Sequence, residues 1–495
     1  MPTRKCGRVI VVGAGMGGLA AALNLSSKGI PVTLIEKHEH AGGKIRQACV
    51  AGKWIDTGPT VFTMRWVFDK LFSDAGLRFE EHVTLANSSL LARHSWVGSS
   101  TLDLHSDVNL SVQAIEAFAG RKDAEAYRVF ATKSEAIFNT LNAPFMQAAR
   151  PSPLSLTFAN GVGGLKGMYD TKPFTSLWKY LGKTFNDPRL RQLFGRYATY
   201  CGSSPMQAPA TLMLIAHAER SGVWVVNGGM QAIADAMLQA AMSKGCECLF
   251  GYSVEQILTG ASGIQGIKLD SGEELLAKSI IFNGDTHALT SGMLGASCNT
   301  ATRHVNTNSL SAITRCEVAQ SDGFKLAHHN VFFGENYSAE FDAIFKQQNI
   351  CKDPTIYVCA QDRSEIDSSA SKATTEPERL FSLMNAPACE LHPGEIQSAC
   401  QLMTKRLSAH GLQLKHHQGD AHVETPNSFA KLFPATQGAL YGRPTHGWMG
   451  SFNRPGSTTS INGLYLAGGS VHPGAGVPMV AMSGQLAAQQ LLSDR

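Results

Sequence analysis

The chain has 495 residues, 43% of them hydrophobic and 17% charged, with a formal net charge of +4. That length exceeds what one hydrophobic core serves and points to two or three domains, while so small a charge excess, with no Lys/Arg run, excludes a nucleic-acid binder. Eleven scattered cysteines, close together only at Cys246 and Cys248, fit reduced thiols rather than a disulfide framework or a zinc site, and no run of about 20 apolar residues is present to span a membrane.

Met1 to Arg8 are basic, but glycines break the apolar run behind them, so no secretory leader is expected. Residues 8–12 read as a buried parallel strand, Gly13 to Gly18 as a glycine-rich turn, Leu19 to Lys28 as a helix and Val32 to Ile35 as a second strand. Residues 66–77 have helical spacing, with Phe68, Leu71 and Phe72 on one face. From about 110 to 220 the pattern is mostly helical. Within it, segment 142–183 sets Lys166, Lys172, Lys179 and Lys183 around Phe174, Trp178 and Tyr180. That mixture suits either contact with a membrane surface or a helical cap with a solvated lysine face. Residues 229–244 form a further helix. Strands are expected at Ser253 to Leu258, Ile264 to Leu269 and Leu275 to Phe282, the last two joined in a hairpin by Asp270, Ser271 and Gly272, then at 312–320, 328–334 and 355–361. Residues 364–378 read as an exposed polar loop. A short strand at Leu464 to Ala467 runs into glycines, and a helix follows from Val477 to Leu492.

Gly13-x-Gly15-x-x-Gly18 fits a dinucleotide site. The first glycine permits the tight turn, the second lets the backbone approach a pyrophosphate, and the third lets helix and strand pack closely. Free N–H groups and the helix dipole then hold the anion. Glu36 ends the second strand, 36 − 13 = 23 residues on. A carboxylate there binds a ribose diol and repels a 2′-phosphate, which disfavours NADP. Gly42, Gly43 and Lys44 follow, then Asp56, Thr57, Gly58, Pro59 and Thr60. A nicotinamide site has no need of this second glycine region; a longer cofactor lying deep in the protein does. The C-terminal turn from Gly468 and Gly469 to Gly476, Val477 and Pro478 opens a helix whose positive end suits an anionic reduced flavin.

The spacing E-x5-G-G-K over Glu36 to Lys44 resembles the second motif of the superfamily of FAD-containing amine oxidases and carotenoid desaturases, with Lys44 where Arg is commoner. The run Leu464 to Pro478 (LYLAGGSVHPGAGVP) closely resembles the C-terminal signature of the carotenoid (phytoene) desaturase family. Gly58 to Val61 and Gln207 to Leu212 resemble the same family. Within it, Thr60 to Phe68, Phe194 to Ser204 and Val477 to Gly484 are most similar to the 1-hydroxycarotenoid 3,4-desaturases, with phytoene desaturation as the neighbouring alternative. The resemblance implies an α/β chain with a two-domain, Rossmann-like flavoprotein fold. Residues 1–85, 220–290 and 455–495 would form a discontinuous FAD-binding domain, and 86–219 and 291–454 a substrate and membrane-contact domain with a mixed sheet and helices. It implies non-covalent FAD, held by Gly13, Gly15, Gly17, Gly18, Glu36, Lys37, Gly43, Lys44, Gly58, Pro59, Thr60, Val254, Gly468, Gly469, Gly476, Val477 and Pro478. It also implies a hydrophobic acyclic carotenoid as substrate, oxygen or a quinone as electron acceptor, and a peripheral place on the cytoplasmic side of a bacterial membrane.

Desaturating a C–C bond needs a strong hydride acceptor held against an allylic C–H in a dry tunnel. The cation left behind is delocalised, so no strong base is required, and no side chain is assigned as catalytic. His472 sits in the flavin-side loop, where packing of that loop is the preferred role. No metal is expected: His328–His329 and His416–His417 are adjacent pairs without Cys or acidic partners at ligand spacing. Two rivals remain. An amine oxidase would need an aromatic cage that the sequence does not place. A lipid-escort protein of this fold would have no use for the intact Gly13, Gly15, Gly18 and Glu36.

Overall fold

The computed structural model describes residues 7–98, 101–152, 155–156, 170–304, 307–363, 376–416 and 421–495. Residues 153–154 and 157–169 of the lysine- and aromatic-rich segment, including Lys166, lie outside the described residues, as do positions 364–375 of the polar loop and His417.

A five-stranded parallel sheet carries the glycine-rich turn. Its order is Glu247–Phe250, Val32–Glu36, Val9–Val12, Ser279–Phe282 and Leu464–Leu466. Such strands are covered on both faces and so read as continuous apolar runs. Helix Met16–Ser26 lies on the sheet with all eleven residues buried, packed by helices Gln231–Ser243 and Val477–Ser493. The crossing with Val477–Ser493 is close because it runs through glycines. A Cβ on Gly484 would overlap the carbonyl oxygen of Gly17.

Helix Met16–Ser26 starts three residues before the expected Leu19. Gly17 and Gly18 are helical despite their poor intrinsic propensity, because only glycine fits against Asn283, Gly468 and the Gly13 carbonyl there. The run expected as one strand from Leu275 to Phe282 divides. Glu274–Leu276 closes the hairpin on Gly263–Leu269, and the chain then turns so that Ser279–Phe282 joins the parallel sheet.

The second large sheet has the order Leu412–His416, Ser311–Gly323, Glu378–Ala386, Ile356–Ala360, His329–Phe332, Leu90–Ser95, Leu102–His105, with His422–Glu424 also on Ser311–Gly323. It is mixed: only His329–Phe332 and Leu90–Ser95 run parallel. Helix Pro393–Ala409 packs on strands Ser311–Gly323, Ile356–Ala360 and Leu412–His416, while Tyr357, Phe381, Leu383 and Asn385 face a cavity that is also lined by Gly58–Thr60 and Gly476–Pro478. Among the described residues, no helix is long and apolar enough to cross a membrane.

Candidate active site

The turn after Val9–Val12 is pinned at several points. Gly13 adopts φ +96° and donates its N–H to Ile35 O (2.7 Å). Ala14 N–H donates to Glu36 Oε2 (2.8 Å), and His38 N–H to Glu36 Oε1 (3.0 Å), so the buried carboxylate is fixed at the strand end. Lys37 beside it is lowered from its ordinary value by burial, with Glu36 opposing the fall. Val254 begins the strand that leaves this corner, where Tyr252 N–H donates to Glu36 O (3.2 Å).

Helix Met16–Ser26 has Gly15 at its cap and no side chain satisfying its first N–H groups, which leaves them free for an anion. The second glycine pair rests on this same loop. Gly42 N–H donates to Ala14 O (2.9 Å), Gly15 and Gly42 run as neighbouring backbones, and a Cβ on Gly43 would come within 3.0 Å of Gly15 Cα. A Cβ on Gly58 would overlap the carbonyl of Lys44.

At the far end, Gly468 N–H donates to Ser483 Oγ (3.2 Å), and Gly469 O accepts from Arg454 Nη1 (2.8 Å). Gly476 caps helix Val477–Ser493 without a side-chain bond, and Pro478 sits in the first turn, where a missing N–H costs nothing. Gly58, Pro59, Thr60, Gly476, Val477 and Pro478 all line the cavity.

FAD fits this seam of close backbone approaches on independent grounds. Two uncapped helix ends face it. Asn283, which carried no sequence signal, presents a buried Oδ1 without a partner beside the loop while its Nδ2 donates to Gly13 O (3.1 Å).

Lys44 Nζ donates to Leu440 O (2.5 Å) and stands over the Phe433 ring at 5.4 Å. The side chain keeps some contact with solvent, yet burial of its ammonium pushes it down to about 8, with Asp285 opposing the fall and Arg454 adding to it. A base lowered in the folded state binds protons less tightly than in the unfolded chain. Its unfavourable contribution is complete below about pH 8 and is relieved between about pH 8 and its ordinary 10.5. In apoprotein, the wild-type urea midpoint is therefore expected to gain on that of Lys44→Met as pH rises through this window. A constant difference would mean that the ammonium is hydrated.

The cavity, of about 370 Å³, is walled mainly by Phe138, Leu141, Phe145, Leu212, Ile215 and Phe452. None of the described residues lining it is Asp, Glu, His or Lys. Its polar wall groups include Thr60 Oγ1, 2.7 Å from the Tyr357 hydroxyl, which lies 2.7 Å from His329 Nδ1. Burial keeps His329 well below its ordinary value, so the ring is neutral. His472 is held away from solvent. Its Nε2 donates to Phe145 O (2.8 Å), its ring lies edge-on to Phe145, and burial lowers it to about 4.

The fold brings Cys359 beside the histidine pair, which spacing along the chain did not show. His328 Nε2 is 3.6 Å from Cys359 Sγ, and His328, His329 and Cys359 offer ligand atoms within 4.8 Å of one another. His328 Nδ1 donates to Arg363 O (2.9 Å), His329 Nε2 is buried without a hydrogen-bond partner, and burial pushes the Cys359 thiol up to about 12.

The profile of the flavin-containing amine oxidoreductase family matches residues 16–492. The chain is 46% identical to the hydroxyneurosporene desaturase of Rubrivivax gelatinosus over 98% of its length and 93% of that protein. It is 41% identical to the hydroxyneurosporene desaturase of Cereibacter sphaeroides over 98% of each. An oxidoreductase from Methanosarcina mazei shares the fold, with a TM-score of 0.62 at 14% identity, over 98% of this chain and 100% of the other. Likeness of that extent, on a scaffold that sets two open helix ends along one glycine seam, makes this chain a member of the flavin-containing amine oxidoreductase family and, within it, of the FAD-dependent carotenoid desaturases.

Proposed function

We propose that the protein introduces a C–C double bond into an acyclic carotenoid, at C3–C4 of a 1-hydroxy carotenoid, using non-covalently held FAD. The observation that carries this reading is the cavity. It runs along Gly58–Thr60 and Gly476–Pro478, is dominated by apolar side chains, and among the described residues offers no carboxylate, imidazole or amine. An amine substrate would find no counter-ion in such a wall, whereas a polyene needs none. Full-length likeness to two proteins named hydroxyneurosporene desaturase supports the same substrate class.

FAD, when bound, supplies the hydride acceptor. The chain supplies position and dryness. Leu141, Phe145, Leu212, Ile215 and Phe452 exclude water and hold an extended apolar chain against the Gly58–Thr60 turn. For the proton that leaves the neighbouring carbon, Thr60 Oγ1 is assigned as first acceptor, supported by its contact with Tyr357 and, through it, with the neutral His329.

A substrate this insoluble enters from a bilayer, so the protein sits peripherally on the cytoplasmic side of the bacterial membrane and passes electrons to oxygen or a quinone. Phe174 and Trp448, 71% and 47% exposed with ring centroids 5.5 Å apart, support membrane contact at the cavity, which Trp448 itself lines. Exposed Lys179 and Lys183 follow on the next helix. Phe174→Ser with Trp448→Ser is expected to reduce cosedimentation with anionic vesicles at least tenfold while the flavin is retained; unchanged binding would move the contact elsewhere.

The function is tested by product analysis in a non-carotenogenic bacterium supplied with phytoene or with 1-hydroxyneurosporene. A chromophore lengthened by one double bond only in the hydroxylated polyene is the expected result. Conversion of phytoene instead would make the protein a phytoene desaturase.

A further inference from the structure

Part of the cavity's polar lining lies on the large mixed sheet. Strands Ile356–Ala360 and Glu378–Ala386 pair with Tyr357 opposite Leu383 and Ile356 opposite Met384. Side chains two residues apart share a face, so Asn385, with Thr355 beside it, lies one rung beyond Tyr357, about 7 Å along the sheet. Thr355, Tyr357, Leu383 and Asn385 line the cavity. Glu340, 1% exposed behind the rung, accepts from Asn385 Nδ2 (2.9 Å) and from Thr355 N–H (3.1 Å). This fixes the Asn385 amide and leaves its Oδ1 and second N–H uncommitted. Thr355 Oγ1 is buried beside the same carboxylate but makes no hydrogen bond of normal geometry.

Two arginines line the cavity, and they differ. Arg454 is fully engaged with backbone carbonyls: Tyr441 O (3.2 Å), Gly469 O (2.8 Å) and Arg443 O (2.5 Å). Arg196 is equally buried, yet among the described residues it donates only to the Tyr200 hydroxyl (2.9 Å). Its ion pair to Glu219 is long, at 3.7 Å, and its Nε is buried with no partner. A guanidinium has five N–H donors and no acceptor, so Arg196 is short of acceptors. Tyr337, which also lines the cavity, is one turn before Glu340 on helix Tyr337–Asp342, and its ring lies against Gly195, next to Arg196.

We propose that Arg196, Thr355 and Asn385 form the subsite for the terminal hydroxyl of the polyene. The inference rests on the reading of a hydroxylated carotenoid as substrate. A tertiary alcohol is at once acceptor and donor: its oxygen takes a hydrogen bond from Arg196 and its proton goes to Asn385 Oδ1 or Thr355 Oγ1. A polyene without the hydroxyl leaves these buried groups unpaired. Sites of that kind reject the analogue strongly, because discrimination comes from the cost of the unmade bond.

The test is competition between 1-hydroxyneurosporene and neurosporene in one vesicle preparation, with flavin absorbance checked for each protein. The wild type is expected to favour the hydroxylated polyene at least tenfold, and Thr355→Val with Asn385→Leu to bring the ratio below about threefold. Arg196→Lys keeps a positive charge against Glu219 and should also lower the ratio, by loss of the planar donors. A structural role alone would slow both polyenes equally, so variants that keep the wild-type ratio overturn the subsite while leaving the substrate reading intact. A wild type that prefers neurosporene, or converts neither polyene, overturns that reading and the subsite with it.

Discussion

A Gly18→Val protein is expected to carry no flavin. A Cβ at this position would overlap the carbonyl oxygen of Gly13, and that carbonyl has nowhere to go. It accepts from Asn283 Nδ2, and its own residue is tied to Ile35 O (2.7 Å). The clash is therefore relieved by lifting helix Met16–Ser26 off the turn, which withdraws the helix end from the anion it serves. Affinity for FAD should fall at least ~100-fold, about 2.7 kcal/mol, seen as loss of absorbance near 450 nm, a flavin band, after gel filtration. Gly394→Ala is the matched control: a Cβ there meets nothing within 4 Å, and the protein should stay yellow. Stoichiometric flavin in Gly18→Val would mean that the turn does not need the close approach.

Arg196→Met should destabilise the fold by about 3–5 kcal/mol, the usual result when one member of a buried pair is removed. Glu219 accepts from the Tyr197 and Tyr200 hydroxyls at 2.5 and 2.8 Å, and its side chain is 5% exposed. Without Arg196 its charge has two neutral donors and no counter-ion. Replacing both residues, as Arg196→Met with Glu219→Met, should recover much of the loss, because an apolar pair of similar volume carries no desolvation cost. Thermal midpoints of the three proteins, each loaded with FAD, decide the matter. A double variant no better than the single one would place the loss in packing rather than in the stranded charge.

The parts of the site that are local in sequence were legible. Gly13, Gly15, Gly18 and Glu36 stand within one β-α-β unit, so spacing alone predicts the turn that the structure forms there. The start of the helix was misplaced because two glycines in a row look like a loop until Asn283 and Gly468 are seen pressing on them. Asn283 itself is a single polar residue after a strand and carries no pattern. The polar wall was invisible for a related reason: Arg196, Thr355 and Asn385 come from three distant segments and meet only when a helical region and two strands close on the same cavity. The split of Leu275 to Phe282 falls at Lys278 and Ser279, a polar pair too short to read as a turn, since periodicity does not report a change of sheet.

The parallel sheet takes strands from residues 9–36, 247–282 and 464–466, and its buried helix is covered by residues 477–493. Chains are made from the N-terminus and fold as they emerge. The first helix, buried along its whole length, must therefore wait through the synthesis of about 450 further residues before its last cover, residues 477–493, arrives. The flavin seam is complete only once residues 464–493 have been made, so loading with cofactor follows their synthesis, and a product stopped before them lacks one side of the seam and leaves its first helix uncovered.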